Sequence, residues 1–154
     1  MTTATTPRPA GTLPAEYRGR LMSLAHEVRY PGGIRLFDEG GRADHLWIIE
    51  SGSVALDMRV PGRRPAVIDT LGSGELLGWS WQFPPYRRRF GARTVGPVRA
   101  LEFDAAAVRG LCEDDPALGR AVARWAGEAV VRRLQAARTR LLDLYAPYGS
   151  GARG

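Results

Sequence analysis

The chain has 154 residues, 44% hydrophobic and 25% charged, enough for one domain with a real core and unlike a fully disordered chain. No apolar run approaches the roughly 20 residues needed to span a bilayer, and the N-terminus lacks the apolar core of a secretory signal. The net charge of +6 comes from 22 arginines and no lysine, and Cys112 has no second cysteine to pair with. A cytoplasmic, reducing location is therefore the expectation. A basic balance suits nucleic acid or an anionic ligand. Arginine without lysine also follows from a GC-rich nucleotide composition, and the dispersal of the arginines along the chain favours that explanation.

In chain order, residues 1–13 are rich in Thr, Pro and Ala and read as a disordered arm. A short helix is predicted from Ala15 to about Ala25, with Tyr17, Leu21, Leu24 and Ala25 on one stripe. Short strand-like runs follow: "HEVRY", "IRLF", "HLWIIE", "SVALDMRV" and "PAVIDTL", each bounded by Gly- or Pro-containing turns. Val54, Leu56, Met58 and Val60 alternate with polar or small residues, the signature of a strand with one buried face. "FGARTV" and "VRALEFD" continue the pattern to Asp104. Many short strands with Gly-rich turns predict a mainly β domain, an antiparallel jelly-roll barrel of about eight strands over residues 26–104.

After Asp104 the period becomes helical. "AAAVRGLC" predicts a short helix stopped by Glu113-Asp114-Asp115, and Asp115-Pro116 is a strong start for a second, a capping carboxylate followed by proline at the first helical position. That helix runs uninterrupted to Tyr145, with the tail 146–154 read as flexible. Val130, Leu134, Ala137, Leu141 and Leu144 fall at heptad spacing. Leu118, Val122, Trp125 and Ala129 form a separate apolar row suited to holding the barrel, which leaves the heptad row for a partner helix across a homodimer axis; packing of that row on its own barrel is the alternative.

This organisation reaches specific residues. Pro31, Gly32, Leu36, Phe37, Gly40, Ala43, Asp44, Trp47, Ile49, Gly52 and Val54 resemble the opening pattern of the cyclic-nucleotide-binding domain of the catabolite-activator superfamily. "LGSGELLG" resembles the start of that family's phosphate-binding cassette, and "VVRRLQAARTRLLDLY" resembles its long dimerisation helix. The resemblance covers residues 14–145 and implies a jelly roll with helices at its ends, cradling a cyclic phosphate. It further implies that Gly74, Glu75, Leu76 and Leu77 begin the cassette, with Glu75 accepting from a ribose hydroxyl and Arg88 pairing with the phosphate. Arg87 and Arg89 are neighbouring candidates for the phosphate role.

The departures from the family pattern lie in the same stretch. Arg89 and Phe90 stand where a hydroxylated and a small residue are usual, and Ala137 and Arg138 occupy the positions of a hydroxyl-bearing pair that reaches the base. The loop before Arg88 is long and carries Trp79, Trp81, Pro84 and Pro85; the two tryptophans either stack on a purine or fill space, and Phe90 is expected to point inward. The arginine triplet either holds a phosphate or stacks on nearby aromatic rings.

Catalysis finds no constellation around His26 or His45, no metal-ligand spacing is present, and no cofactor is expected. The chain ends within ten residues of Tyr145, too few for a recognition helix, so DNA binding of that kind is not expected, nor is membrane attachment. The expected function is a stand-alone sensor that binds cAMP, cGMP or a related nucleotide and signals to a partner protein through its dimer helix. The alternative is the same fold with a closed or altered pocket, serving as an interaction module or taking a different ligand. Nonspecific nucleic-acid binding by an arginine-rich face is a third expectation.

Overall fold

Among the described residues, the period-two runs fold as eight antiparallel strands in two four-stranded sheets, closed by three α-helices. The computed structural model describes residues 13–145, so the arm before residue 13 and the tail from residue 146 lie outside the described residues. The strands are β1 (His26–Tyr30), β2 (Arg35–Phe37), β3 (His45–Ser51), β4 (Val54–Met58), β5 (Ala66–Leu71), β6 (Leu76–Leu77), β7 (Gly91–Thr94) and β8 (Val98–Asp104). One sheet has the order β1-β8-β3-β6 and the other β2-β7-β4-β5.

The continuous apolar run of β3 has a structural cause: its sheet is covered on both faces. Trp47 and Ile49 point into the barrel with Val54, Leu56, Leu71, Leu77, Ala92 and Ala100. Leu46, on the opposite face, joins Leu76 and Phe103 against the helices. Strand β6 splits the same way, Leu76 to the helices and Leu77 to the barrel. Two consecutive leucines show no alternation, which is why this short strand is absent from the sequence pattern.

The alternation predicted for Val54 to Val60 stops early. The pairing of β4 with β5 shifts register between Leu56 and Asp57, so Asp57 is buried, Met58 is exposed and Val60 lies beyond the strand. Arg35 Nη1 donates to Asp57 Oδ2 at 2.7 Å and pairs the buried carboxylate.

Helix α1 (Ala15–Met22) is shorter than its stripe, but Leu21 is fully buried, and Tyr17, Leu24 and Ala25 pack on the same cluster. Leu13, read in the sequence as the end of the arm, is instead buried in that cluster, and its carbonyl accepts from Arg18 Nη2 at 2.9 Å. Helix α2 (Ala105–Asp114) is capped by Asp104, whose Oδ2 accepts from Ala107 N at 2.9 Å. It extends through Glu113 and Asp114 rather than stopping before them. Helix α3 (Pro116–Tyr145) starts as its sequence dictates, Asp115 Oδ1 accepting from Leu118 N at 3.2 Å. Asp115 also pairs with Arg20 of α1, tying the helix entrances together. Leu118, Val122, Trp125 and Ala129 are buried and hold α3 to the helical cluster, where each fully buried large side chain contributes about 1.5–3 kcal/mol.

Candidate functional site

The turn from β6 begins with Gly78 at φ 90°, a left-handed conformation that favours glycine, and leads into a 3-10 turn, Ser80–Gln82. Opposite that turn, just before β7, the chain runs antiparallel to the loop preceding β3: Arg88 N donates to Gly41 O and Ala43 N to Tyr86 O. Strand-like alternation then sends Arg88 inward and leaves Arg87 and Arg89 exposed.

Arg88 is 4% exposed. Its Nη2 donates to His45 O at 2.6 Å, and the guanidinium lies over the rings of Phe37 (4.1 Å) and Trp47 (5.4 Å). Nε and Nη1 have no hydrogen-bond partner among the described residues, and Arg88 makes no salt bridge there. Burial lowers its pKa to about 10, the field of Asp44 acting weakly in the other direction. A buried cation with free donors and no counter-ion is costly, and an arriving anion removes that cost. A Cβ on Gly78 would sit 2.7 Å from Nη1, so only glycine leaves the guanidinium its place. Phe37, Leu56, Gly78, Trp79, Ser80, Arg89, Phe90 and Arg133 complete a cavity of about 20 Å³, room for roughly one water.

The cassette's glutamate faces elsewhere. Glu75 lines a separate small cleft with Gly74, Leu76, Trp125, Ala129, Arg132 and Arg133. Its Oε2 accepts from Gly72 N at 2.9 Å, and its Oε1 from Arg132 Nη2 at 3.0 Å, with Arg133 Nη2 at 3.5 Å. Arg133 Nη1 donates to Asp69 Oδ2 of β5 at 2.6 Å. Only 3% exposed, Arg133 has its pKa lowered by burial and held up by Asp69 and Glu75. It lines both cavities and is the physical link between the barrel site and α3.

The remaining expectations divide. Backbone N–H groups of Gly74 and Glu75 are consumed within the barrel, donating to Ile49 O at 2.7 Å and Gly72 O at 3.2 Å. Leu76 and Leu77 are strand and core residues, paired with Ile48 and Trp47. Trp79 is half-buried at the Arg88 cavity, edge-on to Phe83 and Phe90. Trp81 is not presented to the cavity: it is fully buried with the helices and donates to Gly78 O at 3.1 Å. Phe90 points inward as expected and packs on the barrel core. Arg138 is exposed and lines neither cavity.

Within the heptad row, Leu134, Leu141 and Leu144 are exposed and Val130 is half-buried, while Ala137 packs on the barrel core rather than standing free. Asp69, Arg132 and Arg133 were not singled out from the sequence. The available signal was spacing: Arg133 falls four residues after Ala129, so it places a charge on the apolar row that faces the protein. Among the described residues no helix is long and apolar enough to cross a membrane, and no group of three acidic, His or Cys side chains is placed to hold a metal.

Residues 27–115 match the sequence profile of the cyclic nucleotide-binding domain. The CRP-like cAMP-activated global transcriptional regulator of Mycobacterium tuberculosis is 32% identical over 124 residues, which is 80% of this chain and 54% of that protein. The chain thus spans about half the length of the curated relatives it matches. Among solved structures, the catabolite activator protein of Thermus thermophilus has a TM-score of 0.69 at 26% identity, covering 91% of this chain and 63% of its own. The N-terminal domain of a transcriptional regulator from Streptomyces coelicolor A3(2) has a TM-score of 0.65 at 26% identity, covering 83% and 89%. With its two-sheet jelly roll, its cassette start and its long C-terminal helix, the chain belongs to the cyclic nucleotide-binding domain family, of the CRP/FNR-like kind.

Proposed function

We propose that the protein is a regulatory nucleotide sensor in which Arg88 receives the phosphate of cAMP, cGMP or a related nucleotide and α3 carries the response. The observation that supports this reading is the buried guanidinium with two unpartnered nitrogens and no carboxylate partner among the described residues. The phosphate fits that donor set. Sugar and base do not fit the cavity as it stands, so admitting them requires Phe90 and Trp79 to swing aside. Glu75 lies in the neighbouring cleft with Arg133 lining both, so a ribose hydroxyl reaching Glu75 Oε1 would have to displace Arg133 and Arg132, loosening the tie between the barrel and α3. The role is regulatory rather than catalytic, with α3 presenting its exposed Leu134, Leu141 and Leu144 to a second copy, and the dimer passing the change to a partner protein.

Isothermal titration with cAMP and cGMP tests this. Binding that weakens about tenfold or more in Glu75→Gln supports the ribose contact. No heat and no thermal shift with either nucleotide at about millimolar concentration sinks the cyclic-nucleotide form of the reading. The small cavity favours a second reading, a pocket shut against nucleotides in a domain that works as an interaction module.

A further inference from the structure

Charge at the Arg88 cavity is unbalanced. Three arginines line it (Arg88, Arg89 and Arg133), and no Asp or Glu does. Arg133 is neutralised by Asp69 and Glu75. Asp44, the carboxylate whose field reaches Arg88, is exposed and paired with Arg42 at 3.5 Å. Arg89 makes no salt bridge among the described residues. The cavity therefore carries two uncompensated positive charges, one buried and one exposed, with the buried Ser80 beside them.

Resting on the reading of Arg88 as a phosphate site, we propose that this pocket selects the dianionic terminal phosphate of a phosphomonoester over the singly charged phosphate of a cyclic nucleotide. Two observations carry this. Two free cations match two negative charges, and a monoester phosphate is a dianion above its second pKa of about 6, whereas a cyclic phosphodiester keeps one charge. The second observation is the cavity's size. A terminal phosphoryl group projects ahead of its carrier, so it needs less displacement of Phe90 and Trp79 than a phosphate with a sugar fused to it. A phosphate fused into a ribose ring brings the sugar with it. Arg89 is then the specificity-determining side chain, and the ligand class is a nucleoside monophosphate or inorganic phosphate.

Titration calorimetry on the full chain with AMP, inorganic phosphate, cAMP and sulfate, at about pH 7.5 and about pH 5, separates these sources. At the higher pH, AMP or phosphate is expected to bind at least about tenfold tighter than cAMP. At the lower pH, the affinity for AMP falls about tenfold as the dianion is depleted, and that for inorganic phosphate, whose second pKa is higher, falls further. Sulfate, a dianion throughout, and cAMP, a monoanion throughout, keep their affinities. They thereby control for titration of His45, whose exposed ring lies 6.2 Å from that of Trp47, and of Asp44. Arg89→Ala, at an exposed position, is expected to keep its melting temperature and to bring AMP within about twofold of cAMP. Tighter binding of cAMP than of AMP, pH-independent AMP binding, or an unchanged preference in Arg89→Ala overturns the inference. If cAMP wins, the nucleotide-sensor reading stands without it. If phosphate and sulfate bind but no nucleotide does, the inference stands and the sensor reading falls; silence toward every anion removes both.

Discussion

Replacing Arg133 with methionine isolates the tie between the barrel and α3. The side chain is 3% exposed and donates to Asp69 at 2.6 Å, with Glu75 at 3.5 Å. Removing one member of a fully buried ion pair costs about 3–5 kcal/mol, because its partner is stranded. Here the loss is smaller. Asp69 keeps 27% side-chain exposure and rehydrates, and Glu75 keeps Arg132 at 3.0 Å. Methionine also recovers the packing of the aliphatic stem. The expected loss is about 2–3 kcal/mol, or a melting temperature lower by about 4–12 °C for a domain of this size. Urea and thermal unfolding measure it, and a double-mutant cycle with Asp69→Asn is expected to show about 1–2 kcal/mol of coupling. A variant within about 0.5 kcal/mol of wild type, or a cycle with no coupling, refutes the assignment of Arg133 as the link.

Two further changes test the surroundings. Gly78→Ala places a Cβ against Arg88 Nη1 in a left-handed backbone; it is expected to cost about 1–3 kcal/mol in unfolding and to lower the affinity for any phosphate ligand, whereas normal stability and affinity count against the cavity geometry. Leu134, 66% exposed on α3, is expected to sit in a homodimer seam, so sedimentation should give a dimer for wild type and a monomer for Leu134→Glu. A wild-type monomer at about 100 µM removes the seam.

Local chemistry made most of the fold legible. "HEVRY" and "VRALEFD" coincide with β1 and β8 because both have the composition of a strand; turns bound the first, while a Gly-Pro turn opens the second and the capping Asp104 of α2 ends it. Asp115-Pro116 marked the start of α3 because the cap and the fixed proline dihedral act within one turn. What stayed hidden depends on contacts distant in sequence. The register shift that buries Asp57 is set by β5 and by Arg35. Burial of Trp81 follows from the packing of the helices, so its composition could not separate a stacking ring from a core ring. Glu75 and Arg132 are 57 residues apart, and no local pattern announces such a pair. Arg88 was identified through resemblance, but its free nitrogens and its lack of a carboxylate emerge only when β3, β7 and the turn after β6 are assembled.

The most direct test of the central claim, that the free buried guanidinium of Arg88 exists to take an anion, is to measure stability and anion binding together in Arg88→Met. The substitution loses ring contacts worth about 1–2 kcal/mol and the hydrogen bond to His45 O, and it relieves the burial of an unpaired cation whose pKa has fallen to about 10. The account predicts unfolding within about 1 kcal/mol of wild type and loss of all measurable binding of phosphate and nucleotides. Undiminished anion affinity in a folded Arg88→Met would contradict it.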